Sequence, residues 1–257
     1  LMVADKRAIT QALKLEKNPV FSRIFDNPNH LAEASFLFPK IMWIQENHPD
    51  IMQQACTFLN ANDYLVYKLT GKTVTDPLNA EKFYYDSDHV GYPLELMKHL
   101  GLHNDMFPTV QPIGTDIGPI LPDVFNTMGL SHKTRVTLGT YDAICAFWGS
   151  GVSAEGEACN VSGTSLSFRV LSKKPAGQND TGILSQYYAP HNYYVVGGSN
   201  NLEGGLLEWA RHCLYEEDLN NDTDYLYSLM QDEAQESRVG ARGLTFIPYL
   251  IGERVPI

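Results

Sequence analysis

The sequence predicts an α/β fold made of two domains. Helix-like spacing of apolar residues dominates the first half of the chain, and from Arg135 onward strand-like runs alternate with glycine turns and helices. A cluster of small residues between Gly149 and Glu155 interrupts the pattern, so we place the boundary there and predict domains at 1–150 and 151–257. A chain of 257 residues with a hydrophobic share of 44% can supply a core to each.

The first half is predicted to be largely helical. The first of its helices breaks near Pro49; the second is capped by Asn62 or Asp63 and ended by Gly71. The proline and glycine content of 107–122 predicts a long surface connection. The helices are expected over 40–55, 62–71 and 93–102.

The second half is predicted to alternate strands and helices. Its strand-like runs are rich in β-branched and aromatic residues. Gly204 and Gly205 open one of the two predicted helices. Strands are expected over 135–138, 157–171, 193–198 and 243–251, and helices over 202–214 and 224–235.

Charge and composition exclude several classes of partner. A formal net charge of −11 argues against nucleic acid and anionic membranes, which need clustered Lys and Arg, but it leaves a nucleotide possible because local geometry binds it. No apolar run reaches the roughly 18–20 residues of a membrane helix. Four scattered cysteines, without a Cys-x-x-Cys pair, argue against zinc and a disulfide framework and favour a reducing cytosol.

Two short motifs carry the chemistry that points to a kinase. Asp142 follows a predicted strand and a Gly139-Thr140 step, and Gly163-Thr164-Ser165 forms a second small-residue turn. A carboxylate can accept a hydroxyl proton, and backbone N–H groups of a glycine turn can hold phosphate. Each motif also has a structural interpretation, because Asp142 could simply cap a helix and the turn could be an ordinary hairpin.

Seven short motifs in a fixed order resemble one known family, the FGGY carbohydrate kinases, which include xylulokinase, ribulokinase, gluconokinase and glycerol kinase. Ala4 stands where the family's first motif has Trp, and Ala143 where an amide residue follows the catalytic Asp. The motifs lie at 4–7, 39–43, 63–76, 139–143, 163–165, 197–209 and 248–256.

The resemblance implies a fold. Members have two ribonuclease H-like domains, arranged as in actin and hexokinase, with the substrates in the cleft between them. It also implies that both domains are incomplete in this chain. We expect the family's Asp-x-Gly-Thr phosphate loop to precede Leu1 and part of the adenine pocket to follow Ile257.

The resemblance also implies a sugar site. Asp142 corresponds to the family's catalytic base, and Tyr141, Asp5 and Arg7 are expected at the sugar pocket. A buried structural ion pair explains Asp5 and Arg7 equally well. The Ala143 replacement and the unusual Tyr141 leave the sugar open.

A nucleotide site is implied by the same comparison. Gly163, Thr164 and Ser165 are expected to contact phosphate, and Gly204 and Glu208 to lie along the ATP. The structural interpretation of Gly204 is tight helix packing, and that of Glu208 is a solvent-facing charge.

The function implied is an ATP-dependent, magnesium-assisted phosphorylation of a small sugar or polyol, with a ketopentose such as xylulose favoured over ribulose, erythritol, gluconate and glycerol. The expected Mg²⁺ bridges the ATP phosphates. The protein is expected in the cytoplasm, with no nucleic-acid or membrane partner and with a homodimer possible. The alternatives are a non-catalytic nucleotide-binding module of the actin-like fold, and a fragment that is inactive alone.

Overall fold

A computed structural model describes residues 5–25, 32–87, 91–163, 166–176, 183–188, 192–200, 202–215, 222–247 and 249–250. Its helices are α1 (Ile9–Glu16), α2 (Pro19–Ile24), α3 (Leu37–Asn47), α4 (Pro49–Gln54), α5 (Ala61–Thr70), α6 (Pro77–Ala80), α7 (Leu94–His99), α8 (Pro122–Met128), α9 (Asp142–Gly149), α10 (Gly204–Leu214) and α11 (Thr223–Glu236). Its strands are β1 (Val74–Thr75), β2 (Thr109–Val110), β3 (Asp116–Pro119), β4 (Arg135–Thr137), β5 (Ala158–Ser162), β6 (Leu166–Ser172), β7 (Leu184–Tyr188) and β8 (Tyr193–Asn200). None of the described helices is long and apolar enough to cross a membrane.

The predicted helices of the first half are confirmed, with one correction at a cap. A break between α3 and α4 falls at Pro49, and Gly71 ends α5 in the left-handed conformation at φ 74°. The N-cap of α5 is Asn60, not Asn62 or Asp63. Asp63 instead occupies the third helical position, where its Oδ2 accepts from the backbone N–H of Asn60 at 2.9 Å.

The segment 107–122, predicted to be a long surface connection, contains the two short strands β2 and β3. Strand β2 pairs in parallel with β1, and β3 pairs antiparallel with β4. The bonding continues past the strand ends, since Leu138 N–H donates to the Thr115 carbonyl at 2.8 Å. Proline and glycine content obscured these strands because each is short and its partner is distant in the sequence.

A four-stranded antiparallel sheet in the order β5-β6-β8-β7 forms the centre of the second half. The pairing of β6 with β8 places Arg169 opposite Gly197. Helices α10 and α11 follow the sheet and contact each other. The predicted strands over 157–171 and 193–198 and both predicted helices are therefore confirmed.

The predicted strand over 243–251 was wrong in the part that the structure describes. A short 3₁₀ turn at Ala241–Gly243 leads into residues 244–247, which have no regular structure. Phe246 stacks on Trp209, with ring centroids 5.6 Å apart. An apolar run becomes a strand only where a neighbouring strand accepts its backbone bonds, and no described strand pairs with this segment. Pro248 and 251–257 lie outside the described residues.

One hydrophobic core joins the two halves. Ile144 and Phe147 of α9 are fully buried against Leu171 of β6 and Val195 of β8. Leu78 of α6 belongs to the same cluster. Helix α9 is therefore fixed to the sheet of the second half as well as to the first. The domain bounds at 1–150 and 151–257 stay a prediction.

Candidate active site

The first turn of α9 presents the predicted base to solvent. Tyr141 is the extended N-cap residue (φ −75°, ψ 160°), and Asp142 is the first residue of the helix. The Asp142 side chain is exposed, and its Oδ1 accepts from the N–H of Ala143 at 2.8 Å. The partial positive charge at a helix N-terminus favours a carboxylate there. Because Ile144 and Phe147 anchor the helix in the core, the backbone that bears the Asp142 carboxylate is held in place.

Asp76 holds the turn that precedes α9. It is fully enclosed and caps α6, because its Oδ1 accepts from the N–H of Leu78 at 3.0 Å and of Asn79 at 3.3 Å. The same oxygen accepts from the hydroxyl of Thr140 at 2.9 Å. Asp76 thus ties residue 140 to a helix 64 positions earlier in the chain, which positions Tyr141 and Asp142.

Tyr141 connects the turn to the sheet of the second half. Its hydroxyl donates to Oε1 of Gln186 on β7, and Nε2 of Gln186 donates to Oε2 of Glu81 at 3.2 Å. Burial raises the pKa of Tyr141 to about 12, so the side chain is a neutral phenol at physiological pH. Gln186 was missed from the sequence, where a lone polar residue in a strand carries no distinguishing signal.

Lys82 lies over the ring of Tyr141. Its Nζ is 3.9 Å from the ring centroid and donates to Oδ1 of Asn79 at 2.8 Å. Burial lowers the pKa of Lys82, and the carboxylates of Asp76 and Asp142, among others, act to raise it. Lys82 was also missed. Lys82 follows Asn79 by three residues, and this spacing could have indicated that the two side chains lie on the same face of a helical turn.

Arg169 is a further charged residue of the site that was not predicted from the sequence. It lies on β6 with 7% of its surface exposed, and its Nε donates to Oγ of Ser167 at 3.0 Å. Nη1 is enclosed and has no hydrogen-bond partner. Its charge acts on the phenol of Tyr141, where it opposes the effect of burial on the pKa. Ser167, Arg169 and Leu171 alternate along one face of β6, so the strand pattern places an arginine on the core side.

The predicted sugar residues Asp5 and Arg7 form a pair with each other. Nη2 of Arg7 is 2.6 Å from Oδ2 of Asp5, and the guanidinium carbon is 4.3 Å from the ring centroid of Trp43. The Arg7 guanidinium holds the pKa of Asp5 well below its usual range. The Arg7 side chain is 56% exposed, so this is a surface ion pair and not the buried one considered from the sequence. No described hydrogen bond or ion pair links Asp5 or Arg7 to Asp142.

Two of the predicted nucleotide residues meet where β5 ends. The N–H of Gly204, the first residue of α10, donates to the carbonyl of Gly163 at 2.8 Å. This contact brings the start of the predicted nucleotide helix against the start of the predicted phosphate turn. Thr164 and Ser165, which complete that turn, lie outside the described residues.

Glu208 takes part in a network between α10 and α11. Its carboxylate accepts from Nε of Arg211 at 3.0 Å and from the hydroxyl of Tyr227 at 2.8 Å, and Nε2 of His212 lies 3.0 Å away. The hydrogen bonds from Arg211 and Tyr227 lower the pKa of Glu208 to about 2. These contacts favour the structural interpretation of Glu208, and its predicted contact with the nucleotide stays a prediction.

Comparison with known proteins agrees with this arrangement. Residues 1–149 match the N-terminal domain, and residues 158–257 the C-terminal domain, of the FGGY family of carbohydrate kinases. The chain belongs to this family. It is 26% identical over 254 residues to the xylulose kinase of Staphylococcus xylosus, covering 98% of this chain and 51% of that protein. It is 27% identical over 258 residues to the gluconokinase of Bacillus licheniformis, covering 99% of this chain and 50% of that protein.

A solved structure confirms the fold. The ligand-bound xylulose kinase of Lactobacillus acidophilus superimposes with a TM-score of 0.85 at 24% identity, over 100% of this chain and 51% of that one. The expected α/β fold of the actin and hexokinase type is therefore correct. The chain spans about half the length of the curated relatives it matches.

Proposed function

We propose that the protein phosphorylates a hydroxyl group of a small sugar or polyol at the expense of ATP, with a ketopentose such as xylulose as the favoured acceptor. The family supports the reaction class, and the xylulose kinase of Staphylococcus xylosus supports the acceptor. One observation on this chain supports the proposal directly. Asp142 stands exposed at a helix start anchored in the core, while the neighbouring Asp76 is fully enclosed and hydrogen-bonded.

In this proposal Asp142 accepts the proton of the attacking hydroxyl. A sugar hydroxyl becomes a good nucleophile only as its proton leaves, and a carboxylate within hydrogen-bond reach supplies the route and orients the attack. The Asp76–Thr140 bond fixes the turn before Asp142. Tyr141, the residue before Asp142, is the proposed sugar contact, and Lys82 lies over its ring.

The phosphates of ATP are proposed to lie against the Gly163 turn and the start of α10. Backbone N–H groups at a helix start favour anions, and the absence of a side chain at Gly163 allows close approach. Mg²⁺ would neutralise charge on the phosphates. The described residues contain no group of three His, Cys, Asp or Glu side chains that could hold a metal.

The cytoplasm is the proposed location. Cys56, Cys145 and Cys213 are exposed and unpaired, as is typical of proteins from a reducing compartment. The possible homodimer stays a prediction that sedimentation analysis of the purified protein would decide.

The decisive experiment replaces Asp142 in the natural full-length protein. We expect Asp142→Asn to lower kcat for sugar-dependent ATP turnover by roughly 10²- to 10⁴-fold, because the proton acceptor is lost while the size of the side chain is kept. The matched control is Asp123→Asn, since Asp123 occupies the first turn of α8 as Asp142 does that of α9. A coupled ADP assay with xylulose, ribulose, erythritol, gluconate and glycerol measures both variants.

Full activity of Asp142→Asn on every acceptor would show that the proposed mechanism is wrong. Equal losses in the Asp142 and Asp123 variants would show that the effect comes from helix stability. Wild-type protein without turnover of any acceptor would contradict the proposed function itself.

A further inference from the structure

Arg169 is charged, enclosed and without a counter-charge. Among the described residues no carboxylate forms an ion pair with it, and its side-chain hydrogen bond runs from Nε to the neutral hydroxyl of Ser167. Nη1 is enclosed without any acceptor. A guanidinium carries five N–H donors and cannot lose its charge, so burying one without an acceptor costs free energy. A residue that the fold tolerates at such cost is expected to serve a ligand.

The position of Arg169 shows where that ligand would lie. Ser167 is two residues closer to the N-terminal end of β6, so the guanidinium lies toward the end of the strand that pairs with Ser162 of β5. The charge of Arg169 also acts on the phenol of Tyr141, the residue before Asp142. Arg169 therefore lies within electrostatic reach of the residue before the predicted base, on the strand that follows the predicted phosphate turn in the sequence.

We propose that Arg169 is an oxyanion-binding residue of the site and that its guanidinium takes two oxygens of a carboxylate or phosphoryl group. Planar guanidinium matches both groups with paired N–H bonds. The oxyanion has two possible sources, the carboxylate of a sugar acid or the phosphoryl group in transit to a neutral acceptor. This inference rests on the proposed sugar-kinase function for its ligands, but not for its test.

Binding without nucleotide tests the residue directly. Inorganic phosphate and D-gluconate are titrated calorimetrically into the natural full-length protein and into Arg169→Met, with D-glucitol as the uncharged analogue of gluconate. We expect at least one oxyanion to bind wild type and to bind Arg169→Met roughly 10- to 100-fold more weakly, the loss expected for charge-assisted hydrogen bonds. Arg135→Met removes the same charge from an exposed arginine paired with Asp116 and should leave both affinities unchanged.

The source of the oxyanion follows from which probe responds. An effect on gluconate alone assigns Arg169 to a substrate carboxylate, with KM for sugar acids raised and neutral acceptors unaffected. A phosphate effect assigns it to the phosphoryl group, with kcat lowered for every acceptor. Arg169→Lys should retain part of the affinity for the oxyanion. If Arg169→Met does not fold, Arg169→Lys takes its place in the comparison with wild type.

Thermal unfolding separates ligand binding from a structural role. Because Arg169→Met removes a buried charge with an unpartnered nitrogen, its Tm should lie within about 3 °C of wild type or above it. The proposal is overturned if neither oxyanion binds wild type, or if both bind the Arg169 variants as tightly as wild type. Failure of turnover with oxyanion binding intact would contradict the proposed function and leave the role of Arg169 standing.

Discussion

At the scale of single residues, two buried carboxylates near the candidate site differ in how well their oxygens are hydrogen-bonded. Both oxygens of Asp76 accept hydrogen bonds, including one from Nδ2 of Asn79 at 2.6 Å. Oδ2 of Asp63 accepts from Asn60, and its Oδ1 is enclosed without a hydrogen bond of normal geometry, although the nearby Thr75 hydroxyl favours the charged form. Burial consequently raises the pKa of Asp63 to about 6. The unfavourable charge of Asp63 should therefore be visible in the stability of the protein.

We predict that Asp63 makes stability fall as the pH rises. A pKa raised in the folded state means that the folded protein binds the proton more tightly, so the benefit is complete below the unfolded value of 3.8 and is lost through about pH 6. The penalty on the ionised form above that pH is about 3 kcal/mol. Relative to Asp63→Asn, wild type should lose up to this amount of unfolding free energy between pH 4 and 7 in urea titrations.

The Asn side chain is a suitable comparison because its oxygen can still accept from Asn60, while its NH₂ replaces the unpartnered oxygen. The neighbouring Thr75 hydroxyl, which is enclosed without a partner, offers an acceptor. A constant difference between the two proteins across this pH range would contradict the raised pKa.

At the scale of elements, the pairing of β6 with β8 requires a glycine. A Cβ on Gly197 would lie 2.0 Å from the Phe168 carbonyl oxygen and 2.9 Å from Cα of Arg169. Both are backbone atoms of the neighbouring strand, so they cannot move aside as a flexible side chain would. The glycine therefore sets how closely β8 approaches the strand that carries Arg169.

Gly197→Ala should lower the free energy of unfolding by roughly 1–3 kcal/mol, because the strands must separate to admit the methyl group. Gly149→Ala is the matched control, since a Cβ at that helix position meets no atom within 4 Å. Denaturant unfolding of both variants measures the difference. Equal stability of the two would show that β6 and β8 can separate at no cost.

At the scale of the whole molecule, a polar bridge accompanies the core shared by the two halves. Gln186 of the four-stranded sheet contacts Tyr141 and Glu81, which lie 45 and 105 residues earlier in the chain. Because the partners are so far apart in the sequence, the bridge exists only when both halves are in place. It therefore couples the turn that bears Asp142 to the position of the sheet.

We predict measurable coupling across this bridge. Tyr141→Phe and Gln186→Leu should each lower the free energy of unfolding, because each leaves a partly buried polar partner without its bond. The double variant should be less destabilised than the sum by about 0.5–1.5 kcal/mol. Additive losses measured in the same denaturant series would show that the two side chains do not interact.

The sequence by itself determined much of this protein: its family, most helices, the strands of the main sheet and the position of Asp142 after a strand and at a helix start. These features depend on rules that act within a few residues, such as helical spacing, capping at Gly71 and short ordered motifs. The same rules missed the strands within 107–122, whose partners are distant in the sequence, and they predicted a strand over 244–247, where the structure has none.

Only the tertiary structure decided what surrounds the candidate base. Lys82 lies in a 3₁₀ turn at Glu81–Phe83, Arg169 on β6 and Gln186 on β7. They meet at Tyr141 because the shared core brings those elements together. No local pattern marks such a cluster, since its members are separated by tens of residues. Only the structure shows that Asp5 is paired with Arg7 at the surface and that Arg169 has a buried nitrogen without a partner.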